Sequence, residues 1–463
     1  MVEKFSEVGI WWLPENPEKK VHGTLSYSPE TGAKLQVMGS LETLDNASTV
    51  REYDIINGFT GSEITLYKCF TQTAPYMIFN PEIITTEYFA NVIFKGHTFK
   101  KGSDIKFKYA RTGYNHLESW FFRNTMSFTS SKNGEFSVTT KSLDPITANI
   151  DDKLKISLIS SNEHSGEWKI EGMKVTLQDK AFADIETSMD MNFEQFMNIS
   201  SRFQRFLTIA INKPIWIQSL VILISEKGEA DKPVEVFLEI QRHLLEKDKV
   251  IHPSMMPFSF DIISDKFERI LKNWFEKSSL MDPVFNLYFA LQYGDKMYIE
   301  HKFLNLISCL ESYHRRRYNG QYLTNPNYDD FKQKITEFFP MIEDSNYADF
   351  KTKFINSLKY GNEPSLRKRL NFIFNDNRPI TSKYIKNQDL FINKVLDTRN
   401  YRTHFDKELE KLAISDFREY NEYNLKLKLL VEVCIFKELG FNLTDIEAIL
   451  ARNQKYQHML SQT

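Results

Sequence analysis

At 463 residues the chain exceeds the ~250 to 300 at which a single hydrophobic core stops growing, so two or three domains are expected. The composition, 41% hydrophobic and 26% charged with 37 Phe and 21 Tyr, is that of a soluble globular protein. With 59 basic and 61 acidic residues the net charge is -2, so overall charge supplies no affinity for nucleic acid, and any such affinity has to come from local patches.

The N-terminus, "MVEKFSEVGIWW", mixes Glu and Lys around no apolar core of signal length. No run approaches the ~18 apolar residues of a membrane span. No targeting or membrane segment is expected. Cys69, Cys309 and Cys434 lie far apart, two of them inside apolar helical patterns, which suits reduced core thiols and a cytoplasmic location. From Trp11 to about Gln178 short β segments alternate with turn residues, among them "GTLSYSPETGAKLQVMGS", "EITLYKCF", "EYFANVIF", "SDIKFKYA", "LKISLIS" and "EWKIEGMKVTL". A sandwich or barrel-like module is expected. Adjacent Trp11 and Trp12 point to opposite faces of a strand, so one is a core residue and the other an interface contact. "NFEQFMNISSRFQRFLTIAI" has helical spacing and stops at Pro214, after which "IWIQSLVILIS" and "PVEVFLEIQRHL" restore β character.

After about Ile251 the pattern changes to apolar residues at spacings of three and four. It runs through "MYIEHKFLNLISCLESYHRRRY", "YDDFKQKITEFFPMI", "YADFKTKFINSLKY", "LFINKVLDTRNYRTHF" and "NLKLKLLVEVCIFKELGF". The fold class is therefore α+β, a β-rich module over 1–280 with some helix near 192–211, followed by an all-α bundle over 281–463.

One stretch of the bundle interrupts its apolar stripe. In "LDTRNYRTHFD", counting four from Val395 or three from Leu396 lands on Arg399, an arginine at the next core-facing position, which is costly without a partner or a wet pocket. Leu396, Asn400 and His404 fall at i, i+4 and i+8, so Asn400 can orient the imidazole if the helix runs unbroken. The cluster suits RNA phosphodiester cleavage. Histidine as a residue type changes charge near neutral pH, so His404 is the candidate general base or acid, while Arg399 presents a fork of donors to the phosphate. The spacing Arg, four to six residues, His also occurs at Arg111 with His116 and at Arg452 with His458, but the first lies in the β-rich half and the second in the terminal tail.

A second helix adds a carboxylate. Leu304, Ile307 and Glu311 follow at three and four, which places Glu311 on the buried stripe and in need of a cation, with Arg399 the candidate if the two helices face each other. Arg315, Arg316 and Arg317 continue that helix, and "RKR" at 367 to 369 is another basic cluster; either can track a phosphate backbone.

These residues carry a resemblance. The helical half, with "LNLISCLESYHRRRY" and "LDTRNYRTHFD", resembles the HEPN superfamily, whose ribonucleases carry Arg, four to six residues, His, often with a polar residue after the Arg. The N-terminal half, with "VGIWWLPENPEKKVHGTLSYSP" and "KLQVMGS", is similar to the N-terminal region of ApeA-like anti-phage proteins, with Trp11, Trp12, Pro14 and Gly23 in the expected order. The resemblance implies a homodimer that lines one cleft with two Arg and His sets, metal-independent RNA cleavage leaving a cyclic phosphate, and abortive infection as the role. It carries over Arg399 and His404 as the central pair and Asn400 as the polar follower. Cellular tRNA is the target class it suggests, and the N-terminal half becomes a sensor of an unknown phage-derived trigger or a restraint on activity.

Blander readings stand beside these. Arg399 and His404 fit a solvated helix end, Glu311 a structural salt bridge, Arg315 to Arg317 a solvated face, Tyr401 a packing residue, and Arg402 an exposed charge or an RNA contact. No histidines at metal-ligand spacing, Cys-x-x-Cys pair, Walker loop or Gly-rich dinucleotide turn occurs, so no metal or cofactor is expected. The rival function is a non-catalytic RNA-binding or dimerisation scaffold, and a toxin-like enzyme acting on a nucleotide or a protein side chain is a third.

Overall fold

The computed structural model describes residues 4–42, 51–71, 76–77, 84–130, 133–134, 136–169, 172–225, 228, 230–239, 251–294, 296–318, 320–340 and 342–461. Parts of two expected strands, residues 170–171 and 240–244, lie outside these. The chain divides into two compact units, Met1–Phe275 and Glu276–Thr463.

The first unit opens with β1 (Phe5–Leu13), β2 (Asn16–Ser28), β3 (Gly32–Met38), β4 (Glu52–Phe59), β5 (Glu63–Thr71), the short β6 (Tyr76–Met77) and β7 (Ile84–Lys95). Antiparallel pairings run β7–β3–β2–β1–β4–β5, and β5 pairs back onto β7, so the six strands close into a barrel. Closure removes the free edges that an open sheet would expose. Ala90 of β7 faces Ala33 on one side and Cys69 on the other, and both partners are small. Further along, β7 exchanges β3 for β15 (Lys232–Leu238), with Phe94 opposite Val236. From that seam the sheet continues through β14 (Ile217–Ile224), β8 (Lys106–Tyr114), β13 (Gly172–Asn192), β12 (Leu154–Lys169) and β11 (Ile146–Asn149), while β9 (Met126–Ser130) and β10 (Phe136–Thr140) form a separate hairpin.

Alternation explains the barrel core. Leu25, Tyr27, Leu35, Val37, Ile64, Leu66 and Ile93 turn inward around fully buried Trp11. The Trp11 indole N–H donates to the Gly23 carbonyl at 3.2 Å. A Cβ at Gly58 would come within 2.2 Å of the Trp11 ring, so only glycine fits beneath it. Trp12 is half-buried on the other face, with the Lys20 ammonium 5.1 Å from its ring centroid. The two tryptophans face opposite ways as expected, with Trp11 the core member.

After the four-residue α1 (Leu117–Trp120), α2 (Phe193–Ile211) starts where Asn192 and Gln195 form a capping box and ends where Asn212 turns left-handed, two residues before Pro214. Its buried Phe196 and Phe203 meet Phe107 and Tyr114 of β8. Short α3 (Phe260–Ile263) follows, and α4 (Phe267–Lys277) carries the chain across the unit boundary at Phe275.

The second unit is helical: α5 (Asp282–Tyr293), α6 (Ile299–Tyr318), α7 (Asn325–Glu337), α8 (Tyr347–Ser357), α9 (Leu366–Asp376), α10 (Arg378–Tyr384), α11 (Gln388–His404), α12 (Phe417–Leu439), α13 (Leu443–Arg452) and α14 (Gln454–Ser461). From Leu429 to Phe436 every residue of α12 is buried, which marks it as the central helix. It packs on α6, which also meets α5 and α9, and α11 packs on α9. The periodicity of "YDDFKQKITEFFPMI" and "YADFKTKFINSLKY" does give helices, but neither α7 nor α8 buries a residue, and Phe331, Phe338 and Phe350 stay exposed. Cys69, Cys309 and Cys434 are free and buried. Among the described residues no helix is long and apolar enough to cross a membrane.

Candidate active site at the end of helix α11

Helix α11 starts where the Asn387 side chain accepts the Leu390 N–H, and it runs unbroken through His404. Its buried face is Phe391, Ile392, Val395 and Thr398. The core position after Val395 therefore belongs to Thr398 and not to Arg399, which corrects the expected stripe. A neutral hydroxyl is the cheaper group to bury, because Thr398 donates to the Lys394 carbonyl at 2.7 Å and accepts the Ile414 N–H at 2.9 Å. The second of these bonds ties the segment after the helix to its last turns.

Arg399 stands on the shoulder of the helix, half-buried, and donates to the Asn400 Oδ1 at 3.1 Å. Asn400 thus holds the guanidinium of its neighbour, where an imidazole was expected as its partner. His404 is the last helical residue and is exposed, one turn beyond Asn400. The Thr403 hydroxyl closes the turn on the Arg399 carbonyl.

Arg402 is the best-held cation of the group. Its Nε donates to the Tyr420 hydroxyl at 2.8 Å, and the guanidinium lies 5.5 Å from the centroids of both Tyr401 and Tyr420. Burial raises the Tyr420 phenol above its usual value even though Arg402 acts against the rise, so Tyr420 stays neutral. Glu300, in the first turn of α6, lies 3.7 Å from Arg402. Tyr420 also packs edge-on against Phe303 of α6, 5.7 Å between centroids, which sets the α12 side of the site against the start of α6.

That geometry separates the residues expected from α6. Glu311 lies eleven residues past Glu300, ~16 Å along the helix at 1.5 Å per residue. Its carboxylate meets Arg315 at 3.4 Å, one turn on, so the expected pairing with Arg399 is not formed. Arg315 reaches Glu363 at 2.7 Å and Arg317 reaches Glu438 at 3.1 Å, and all three arginines of the triplet are exposed. In "RKR", Arg369 is 2% exposed and bonds Glu363 at 2.8 Å and the Pro364 carbonyl at 2.9 Å, a structural role rather than a phosphate track. It also approaches His314, whose imidazole burial and the Arg369 charge pull down to about 4. The structure brings Arg399, Asn400, Arg402 and His404 together and leaves Glu311 and Arg315 to Arg317 at the far end of α6.

The competing Arg and His spacings fare differently. Arg111 is held in a bidentate pair with Asp184, both bonds at 2.8 Å, and His116 turns left-handed at φ 61°. The sequence reading passed over Glu300, Tyr298, Phe405 and Tyr420. Tyr420 lies at the same helical face as Leu427, a spacing of seven, but nothing in its pattern links it to Arg402.

Two family profiles match the chain: ApeA N-terminal domain 1 over residues 6–274, and Apea-like HEPN over residues 304–445. The first ends one residue before the first compact unit does; the second contains Arg399, Asn400 and His404. No curated protein and no solved structure matches. The chain belongs to the ApeA-like HEPN family of anti-phage effectors.

Proposed function

We propose that the second unit is a metal-independent endoribonuclease that acts in abortive infection, with cellular tRNA as its target class. One observation carries the reading: Arg399, Asn400, Arg402 and His404 gather on the last two turns of one helix inside the HEPN match, with the imidazole exposed to a ligand.

The substrate brings its own nucleophile, so no metal is needed to activate water. His404 takes the proton from a ribose 2′-hydroxyl, the 2′-oxygen attacks the adjacent phosphorus, and the bond to the 5′-oxygen breaks. The departing 5′-oxygen takes a proton, and the product is a cyclic phosphate. In a homodimer that pairs two such helix ends, one imidazole removes the proton and the other, protonated, supplies it. Arg399, positioned by Asn400, holds the non-bridging oxygens as negative charge builds on them. The first unit, about residues 1–280, senses a phage-derived trigger or restrains this activity.

The test incubates wild-type protein and His404→Ala with total bacterial RNA in EDTA and analyses the 3′ ends for cyclic phosphate. Cleavage by the wild type alone is expected, and cleavage at full rate by His404→Ala would move the active site elsewhere. If removing the first unit leaves both the amount of cutting and its trigger dependence unchanged, the sensing role fails.

A further inference from the structure

The residue after His404 has an unusual backbone. Phe405 ends α11 in the left-handed region, φ 53° and ψ 37°, a conformation disfavoured for side chains with a Cβ and filled at the end of α12 by Gly440 at φ 93°. Its ring is 67% exposed and meets Tyr401 edge-on at 6.0 Å. A large aromatic held outward on a strained backbone adds little to the core, and outliers of this kind persist where function requires them.

Beside that ring lies a cleft of about 170 Å³ lined by Tyr298, Glu300, His301, Leu304, Arg402 and Phe405. Tyr298 is 78% exposed, so two large aromatic walls are open to a ligand. The volume falls well below the ~300 to 1,000 Å³ of pockets for drug-sized molecules, and it suits one planar ring system. Two lining groups are polar and opposite in character and lie 3.7 Å apart, both partly exposed: the Glu300 carboxylate accepts hydrogen bonds, and the Arg402 guanidinium donates them, so one planar edge can meet both. Tyr298, Glu300 and His301 precede the stretch 304–445, so the family match does not account for them.

We infer that this cleft binds one unpaired nucleobase of the RNA, stacked on Phe405, next to the phosphate held by Arg399. The inference rests on the ribonuclease reading of the helix end. Guanine fits best, because it sets N–H donors for Glu300 beside a carbonyl acceptor for Arg402, whereas uracil has no amino donor. Phe405 is then a binding and specificity residue, and its strained backbone aims the ring.

The test measures RNA affinity in the His404→Ala background, where cleavage does not enter the readout. The probes are a short labelled oligouridine and the same oligonucleotide with one central guanosine. Adding Phe405→Gly is expected to weaken binding of the guanosine probe by about 5- to 100-fold, the range of one stacked base. Phe405→Tyr should retain affinity, and the melting temperature of Phe405→Gly should not fall, because glycine relieves the left-handed cap. Unchanged affinity in Phe405→Gly, or no binding by His404→Ala alone, overturns the subsite. So does a changed oligomeric state at unchanged affinity, which assigns the ring to a contact between copies. Equal affinity for the two probes overturns the roles of Glu300 and Arg402. Failure of the ribonuclease reading shows separately, as cleavage that survives His404→Ala.

Discussion

The two ends of helix α6 treat arginine in opposite ways. At its C-terminal end Arg315 and Arg317 meet Glu363 and Glu438, and Glu363 also neutralises buried Arg369. At its N-terminal end Arg402 rests between the rings of Tyr401 and Tyr420 with its one carboxylate contact, Glu300, at 3.7 Å, and Arg399 bonds the Asn400 amide. Cations closely paired with carboxylates hold elements together, whereas Arg399, positioned by an amide, and Arg402, held chiefly by tyrosines with Glu300 at the edge of ion-pair distance, keep more of their charge for a ligand. Clusters that look alike in sequence, "RRR" and "RNYR", therefore differ in what surrounds them, and the difference predicts which substitutions change chemistry and which change stability.

The largest effects belong to the N-terminal end. His404→Ala should lower RNA cleavage by at least ~10² to 10⁴-fold, the usual share of one general acid or base, without changing the melting temperature of an exposed position. Arg399→Lys should recover only part of the activity lost in Arg399→Ala, because an ammonium lacks the planar fork. At the other end, Glu363→Ala removes the carboxylate that bridges Arg315 and Arg369. Arg369 is 2% exposed, so the variant should lose stability toward the lower end of about 3 to 5 kcal/mol. Cleavage per folded molecule should be unchanged; a catalytic defect in folded Glu363→Ala would break the contrast between the two ends.

The pH dependence of stability sharpens the same contrast. His314 is buried beside Arg369 and rings of Tyr318 and Phe372, with its imidazole pulled down to about 4. An unfolded chain binds that proton near ~6.5, so protonation favours unfolding. The stability is whole above about pH 6.5 and is lost as the pH falls toward 4, by up to about 3 kcal/mol. Thermal midpoints measured across that window should show a flatter slope for His314→Gln than for the wild type. Equal slopes would show that His314 does not stay neutral at the paired end.

Much of the fold was legible because periodicity reports which face is buried. Alternation in "GTLSYS" and "KLQVM" anticipated the barrel strands, and the helical spacing of "NLKLKLLVEVCIFKEL" anticipated α12. Closure of the barrel was not legible, since the pairing of β5 with β7 joins strands that turn chemistry alone does not connect. Periodicity also misled where a helix has an apolar stripe and no neighbour, as in α7 and α8. At the site, the co-occurrence of Arg399, Asn400 and His404 was readable from local spacing. Thr398 and Arg399 stand about 100° apart on the helix, on either side of the direction of Val395, and counting by three or four from one residue accepts both. The expected pairing of Glu311 with Arg399 failed for a related reason: helical spacing gives the face of a helix but not the level at which another helix crosses it. The carboxylate of that helix at the level of Arg402 is Glu300, three turns earlier.

The smallest expected effect isolates how Arg402 is held. Tyr420→Phe keeps the ring over the guanidinium and the edge contact with Phe303, and it removes only the hydroxyl that accepts from Arg402 Nε. A hydrogen bond to a charged group at a half-buried position contributes on the order of 1 to 2 kcal/mol. If Arg402 serves the RNA, the loss should appear as a few-fold rise in KM with kcat nearly intact, because a loosened guanidinium weakens ground-state and transition-state binding alike. A fall in kcat at constant KM would instead mean that Arg402 acts on the reacting phosphate, and the positioning role given to Tyr420 would extend to the chemical step. No change in either constant, with a lowered melting temperature, would place Arg402 among the structural arginines and remove it from the site end of the comparison.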